Sequence, residues 1–376
     1  MNQDFDSPMD MDADTAKKLF NHGAVLIITG VPRKTEFGID LCSYTIAENF
    51  RGVKMIPPGP HHVWCAATGP YGDTAPRVGF AHFFHEQEIL VKEWDADNEE
   101  LRDRQTKDPE LEKLRIRENI KSLDSYLAAY DFRYWNEWRK LTDTVSHQTL
   151  ERCQPSLGII RTNVELQSCP DSERPRGPLN GAQPALAAKL LNNENDLLPQ
   201  LKPVEGTAPR FSVVPDRVPK DCTPTEISRH SIDCIEACNE LLKSFAQPQD
   251  LIEEVQLSFT FFLVGYSIES LEHWRRVLSI LSHSEDAVAK YRILFMKYAE
   301  VLVHQLPRLP EELMEPSERN TVFKDIRSLL VNLSVSGLHK SAELLTKKLK
   351  SSMNWSFEGL LDEDPENMPV VVNDSN

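Results

Sequence analysis

Short β-branched and aromatic runs crowd the first hundred residues of this chain, and none interrupts residues 223–353. A strand reads as four to eight such residues, and a helix as apolar positions three and four apart. The segregation therefore predicts an α+β multidomain chain, with a β-rich, sandwich-like part followed by an all-α part, and not alternating βα units.

Asp12 or Asp14 can cap a short opening helix, with Ala16 to Phe20 as its body and Gly23 as its stop. Residues 24–29 (AVLIIT) read as a buried strand, and 36–40, 42–46, 52–56, 63–67, 78–84 and 89–94 continue the series. Pro58 and Gly59 suit the central positions of a type II turn. His85-Glu86-Gln87-Glu88 is expected to close the last two strands as a hairpin. Residues 98–150 read as helical and heavily charged, with Leu111, Leu114, Ile120, Leu123, Tyr126 and Leu127 at helical spacing. Residues 155–209, rich in Pro, Asn, Gly and Ser, form a long irregular excursion, with one short helix expected over 182–191. Residues 210–214 read as a strand returning to the first domain, which is taken as 1–220.

Thr223-Pro224-Thr225-Glu226 is a capping box with proline at the first helical position. Ile227, Ser231, Cys234, Ile235, Cys238, Leu241, Leu242 and Phe245 then trace one helix face, which Pro248 ends. Further helices are predicted over 250–265, 268–282, 285–305, 317–335 and 338–353, so 221–354 is an α-helical bundle or superhelix. The tail, 355–376, is acidic except for Pro369, Val370, Val371 and Val372, a strand-forming triplet in polar surroundings.

The chain carries 58 acidic and 42 basic residues, a net charge of −16. That balance speaks against gripping phosphate backbones and suits contact with a basic protein surface. The N-terminal MNQDFDSPMDMD is acidic, unlike a signal or transit peptide. No apolar run approaches the ~18 residues of a membrane span. Seven scattered cysteines make no disulfide framework and suit a reducing compartment.

The phosphate-cradling GxxxxGK[ST] and GxGxxG, the GxSxG elbow and the HExxH helix are all absent. No catalytic role and no cofactor are therefore expected. His82 and His85 resemble a metal pair, but residues three apart on a strand face opposite ways. They read as a core-edge and a turn histidine. The neighbours His61 and His62 diverge in the same way. His230, Cys234 and Cys238 share one helix face, yet three ligands on one helix cannot surround a tetrahedral ion, and packing is the preferred reading. His273-Trp274-Arg275-Arg276 mixes aromatic and basic groups; we read an anchored tryptophan with solvated arginines. Ser282 and Ser284 precede acids as kinase substrates can, but Ser282 with Glu285 also reads as a capping box.

The segments 35–40 (TEFGID), 50–59 (FRGVKMIPPG), 138–155 (WRKLTDTVSHQTLERCQP), 223–230 (TPTEISRH), 259–265 (FTFFLVG), 272–274 (EHW) and 369–372 (PVVV) resemble, in order, the Aar-two splicing-factor family. Nothing is carried over for 155–209. The resemblance implies a β-rich N-terminal domain and a VHS-like helical domain of the kind seen in trafficking adaptors. It implies an assembly chaperone of the U5 small nuclear ribonucleoprotein. Such a protein binds the large spliceosomal scaffold (pre-mRNA-processing factor eight) at its RNase H-like and Jab/MPN-like domains. It keeps helicase and RNA off that scaffold in a cytoplasmic precursor until nuclear maturation. A monomer without direct nucleic-acid or membrane binding is expected. Two alternatives stay open: a metal-dependent cupin-like enzyme and a trafficking adaptor.

Overall fold

The computed structural model describes residues 13–357 except 70, 170–200, 219–222, 224–225, 227–229, 231–232 and 318. Pro369, Val370, Val371 and Val372, and the helix expected over 182–191, lie outside the described residues. The chain divides into two compact units: Met1–Phe211 with Gln256–Glu272, and Ser212–Val255 with His273–Asn376.

In the first unit, α1 (Ala13–His22) precedes eight strands: β1 (Ala24–Thr29), β2 (Glu36–Ile39), β3 (Cys42–Thr45), β4 (Gly52–Ile56), β5 (Gly59–Ala66), β6 (Val78–Phe84), β7 (Ile89–Asp95) and β8 (Glu100–Asp103). Then come α2 (Pro109–Glu118), α3 (Ile120–Leu123), β9 (Leu127–Ala129), α4 (Trp135–Thr142), α5 (His147–Cys153) and β10 (Ile160–Arg161). β11 (Leu166–Ser168) pairs antiparallel with β12 (Leu201–Pro203).

The main strands form two five-stranded sheets, β8-β7-β1-β4-β9 and β10-β6-β5-β2-β3. Leu26, Ile28, Val53 and Ile56 of one sheet share a core with Phe37, Ile39, Val63, Phe80 and Phe84 of the other. This is the sandwich-like arrangement expected, because alternate residues of each strand face the partner sheet. The outer side of the first sheet is covered: Ile27, Ile89 and Leu127 pack with Ile116, Ile120 and Leu123. Two glycines are demanded by close approach. At Gly38 a Cβ would fall inside the Trp64 indole, and Gly52, with φ +136°, would place one against the Leu26 carbonyl.

Four expectations need correction. The loop after β6 does not close a hairpin, because β6 and β7 belong to different sheets and β7 runs parallel to β1. Turn residues reverse a chain but do not choose the sheet it joins. For the same reason Pro57-Pro58 form a corner between sheets, and Gly59, with φ +133°, already opens β5. Residues 98–150 are not wholly helical: Glu100–Asp103 pairs with β7, and Leu127–Ala129 adds to the edge of β4. Residues 210–214 form no strand. The Arg210 N–H donates to the Cys153 carbonyl, and Phe211 packs on the core lined by Leu150 and Phe261.

The distant segment Gln256–Glu272 also belongs to this unit. Leu257 and Phe261 complete a cluster with Ala81, Val145, Leu150, Cys153 and Ile160. The Gln256 amide oxygen accepts from the Thr144 N–H and hydroxyl at 3.1 and 2.6 Å, and its NH2 donates to Asp143.

The second unit is helical. Its capping box is formed as expected, with Thr223 and Glu226 exchanging hydrogen bonds. The helix expected from there to residue 245 is interrupted: Asp233 and Cys234 are non-helical, and α6 covers Ile235–Leu242. The Asp233 carboxylate accepts from the Ile235 N–H and so starts the helix afresh. Of the next two helices, α7 (Leu251–Gly265) and α8 (Ile268–Ser282), this unit holds residues 251–255 and 273–282. The helix expected over 285–305 is two, α9 (Glu285–Lys290) and α10 (Arg292–Gln305), broken at Tyr291. α11 (Glu311–Met314), α12 (Thr321–Val335) and α13 (His339–Met353) complete the series. Asn320 caps α12 by accepting from Val322 and Phe323, while its amide donates to the Leu313 and Glu315 carbonyls. Leu302, Leu306, Leu329, Leu330, Leu345 and Leu349 are fully buried.

Candidate functional site

The polar residues singled out in the sequence are brought together in a few buried clusters. Asp40, at φ +53°, ends β2 in the left-handed conformation that Asp tolerates better than most residues. Its carboxylate accepts from the His62 N–H at 2.9 Å and the Tyr130 hydroxyl at 2.6 Å, and faces His61 Nδ1 at 2.6 Å. His61 Nε2 donates to the Pro57 carbonyl at 2.8 Å, so both ring nitrogens are engaged. Trp135 stacks on the imidazole, with ring centroids 5.7 Å apart. Burial first, then the Asp40 charge, pushes the Tyr130 phenol well above its usual range. Nothing in the sequence joins residues 40, 61 and 130. Two of the resembling segments, TEFGID and FRGVKMIPPG, nevertheless supply Asp40 and Pro57, the two acceptors that hold the ring.

His62 points the other way, toward Phe261, and neither of its ring nitrogens has a partner. Burial, then the nearby Arg77 charge, lowers its pKa to about 3. His82 Nε2 donates to Glu88 Oε1, 2.8 Å away, and its ring meets Phe84 edge-on. The His85 N–H donates to Glu88 Oε2, so His85 opens the loop as expected, with its ring beside His147. Burial raises the Glu88 pKa, but these hydrogen bonds outweigh it and the net shift is downward.

In the second unit, His230, Cys234 and Cys238 do not share a helix face, since Cys234 lies in the break before α6. Arg217 donates to Cys234 Sγ, and the thiol approaches the His230 carbonyl. Burial raises both cysteines, Cys238 to about 12, so they pack as thiols. Among the described residues no group of three His, Cys, Asp or Glu side chains is placed to hold a metal ion.

The stretch 273–276 is committed to internal ties. His273 Nε2 lies 3.0 Å from the fully buried Glu254 carboxylate, off the line of a hydrogen bond, and Glu254 also accepts from the Ser212 N–H and hydroxyl. Trp274 Nε1 donates to Gln305, Arg275 to Thr321 and Arg276 to the Val214 carbonyl. The arginines are therefore not simply solvated; each is tied to a neighbouring segment. Ser282 and Ser284 are both fully buried. Ser284, not Ser282, occupies the N-cap position of α9, but its hydroxyl donates to the Ile280 carbonyl and not to the helix it precedes; α8 continues through Ser282. The capping box expected at Ser282 does not form.

Some apolar and basic side chains also lie at the surface. In the first unit, the Arg77 guanidinium lies between Trp64 and Tyr266, 3.6 and 4.0 Å from their ring centres, and donates to the Val264 carbonyl. Tyr266, at φ +56°, and Ile268 are half-exposed beside it. A bulky residue at positive φ costs about 1 kcal/mol or more, and the cation–π stack offsets part of that. In the second unit, α10 exposes Ile293 and Met296, and α13 exposes Leu344.

The described residues thus form a two-unit α+β chain whose buried polar clusters are tied up in internal contacts. Comparison with known proteins makes the assignment specific. The family description "AAR2 N-terminal domain" matches residues 22–155, and "AAR2 C-terminal repeat region" matches residues 211–358. A mouse protein named Protein AAR2 homolog is 33% identical over 380 residues, covering 97% of each chain. The human protein of that name is 32% identical over 379 residues, covering 96% of each. The nematode Caenorhabditis elegans one is 30% identical over 359 residues, covering 90% of this chain and 96% of its own. The chain belongs to the AAR2 family, which supports a splicing-related factor.

Proposed function

We propose that this protein is an assembly chaperone of the U5 small nuclear ribonucleoprotein and not an enzyme. It binds the large spliceosomal scaffold, pre-mRNA-processing factor eight, at its RNase H-like and Jab/MPN-like domains, and blocks premature helicase and RNA binding there. The observation that carries the reading is family membership across both parts of the chain, 22–155 and 211–358. The net charge of −16 supports it, since an acidic chain shields a basic, RNA-facing surface and does not itself attract phosphates. Two units and a tail can engage separate partner domains at once, which raises avidity through effective concentration. Within this reading the protein acts as a monomer, joins the U5 precursor in the cytoplasm and is released on nuclear maturation. Pro369, Val370, Val371 and Val372 add a strand to a sheet edge of the partner.

The test is a mixture of scaffold fragment, helicase and this protein on a sizing column. The expected result is a complex of scaffold with this protein that lacks helicase. Co-elution of all three on one fragment refutes exclusion, and absence of any binding refutes the partner. The cupin-like alternative finds no ligand set among the described residues.

A further inference from the structure

The helix α13 is strongly basic in a chain that is acidic overall. It carries Lys340, Lys347, Lys348 and Lys350 against a single acid, Glu343. Ala342, Leu345 and Leu349 form its buried face. Outside, Lys340, Leu344, Lys347 and Ser351 follow at steps of four, three and four, which places them in one row. All four are exposed. Lys340, Lys347 and Lys348 have no ionic partner among the described residues.

The chain leaves the described region at the C-terminal end of this helix. Asn354, at φ +54°, turns the backbone. Trp355 is buried and donates to the Met314 carbonyl, and Phe357 stacks on Phe323 with ring centroids 5.2 Å apart. Residues 358–376 then hold six acids (Glu358, Asp362, Glu363, Asp364, Glu366, Asp374) and no Lys or Arg. Five residues of extended chain, from Phe357 to Asp362, span about 17 Å. The row from Lys340 to Lys350 is about 15 Å long at the rise of a helix. The stretch from Phe357 to the acidic cluster is therefore about as long as the lysine row.

We propose that in the free protein the tail segment 358–366 docks on the outer face of α13, with its carboxylates against Lys340, Lys347 and Lys348 and Leu360 or Leu361 over Leu344. Single exposed ion pairs are weak, so a separate acidic peptide would hold poorly. A segment joined to the helix it meets faces an effective concentration in the millimolar range, and that favours the chain's own tail as the occupant. The docked acidic stretch keeps Val370, Val371 and Val372 beside the helical unit. If the tail also donates a strand to the scaffold, a consequence that rests on the function proposed above, the scaffold must compete with this self-contact.

The test is carbodiimide crosslinking of the full chain, followed by digestion and mass spectrometry. Expected are crosslinks within one copy from Lys340, Lys347 or Lys348 to Asp362, Glu363, Asp364 or Glu366. They should fall several-fold at high salt, as exposed charge pairs are screened. They should disappear in the triple variant Lys340→Glu, Lys347→Glu, Lys348→Glu, with its circular dichroism spectrum unchanged. Absence of these crosslinks in the wild-type chain overturns the proposal. So do crosslinks that join two copies, which would make a second copy the occupant. The free protein alone is used, so this result is independent of scaffold binding. Crosslinks without scaffold binding refute the partner, and scaffold binding without crosslinks refutes the docking.

Discussion

His61 Nδ1 lies 2.6 Å from Asp40 Oδ2 in the sandwich core, and both residues are almost wholly buried. The Tyr130 hydroxyl donates to the same carboxylate oxygen. Breaking a buried pair strands its other member without water. His61→Leu should therefore lower stability by about 3–5 kcal/mol. Tyr130→Phe, which removes one hydrogen bond and keeps the ring, should cost about 1–2 kcal/mol. Urea unfolding midpoints measure both. Equal effects would mean that the cluster is held by packing alone.

His62 makes the fold acid-sensitive. The unfolded side chain takes up a proton near pH 6.5, and the folded one only near 3, chiefly because burial disfavours the charge. The contribution to stability is whole above pH 6.5 and is lost as pH falls toward 3. At pH 5 the loss is about 2 kcal/mol. His62→Leu should gain on the wild type between pH 7.5 and 5, as read from urea midpoints at the two values. Parallel losses in both proteins would show that another group governs the acid limb.

Asp325 works in the opposite sense. Burial raises its pKa from 3.8 to about 6. Burial also lowers His283, so the 3.6 Å approach of that ring is no ion pair at neutral pH. The folded state holds the Asp325 proton more tightly than the unfolded one. The stability this confers is present below pH 3.8 and is lost as pH rises through 6. Asp325→Asn should therefore be more stable than the wild type at pH 7.5 by on the order of 2–3 kcal/mol, with the gain fading toward pH 4. Thermal melts at both pH values decide it, and a variant less stable at pH 7.5 contradicts the account.

Deleting residues 366–376 should weaken scaffold binding by about tenfold or more and leave the melting temperature unchanged. Titration calorimetry with the scaffold fragment reads the first quantity and a thermal melt the second. Unchanged affinity removes the tail from the interface.

Where a residue's surroundings are local, they could be read from the sequence. The bounds of β1, β4, β6 and α8 agree with the periodicity, and the Thr223–Glu226 box forms where its spacing puts it. The Asp40–His61–Tyr130 cluster could not be read, because its members are 21 and 90 positions apart: Asp40 and His61 meet when β2 pairs with β5, and Tyr130 joins them from the end of β9 in the other sheet. The same limit misplaced Cys234 on a helix face, since its surroundings are set by Arg217 and by the His283 carbonyl, which accepts from its N–H.

By itself the sequence determined the α+β division, most elements and the family, because periodicity, caps and motif order are carried by neighbouring residues. The tertiary structure decided which sheet each strand joins, as the corners after β4 and β6 show. It also decided which polar groups are buried together, so that both ring nitrogens of His61 are bonded while those of the adjacent His62 have no hydrogen-bond partner. Adjacent strand residues face opposite sides of a sheet, and only the packed layers determine what waits on each side.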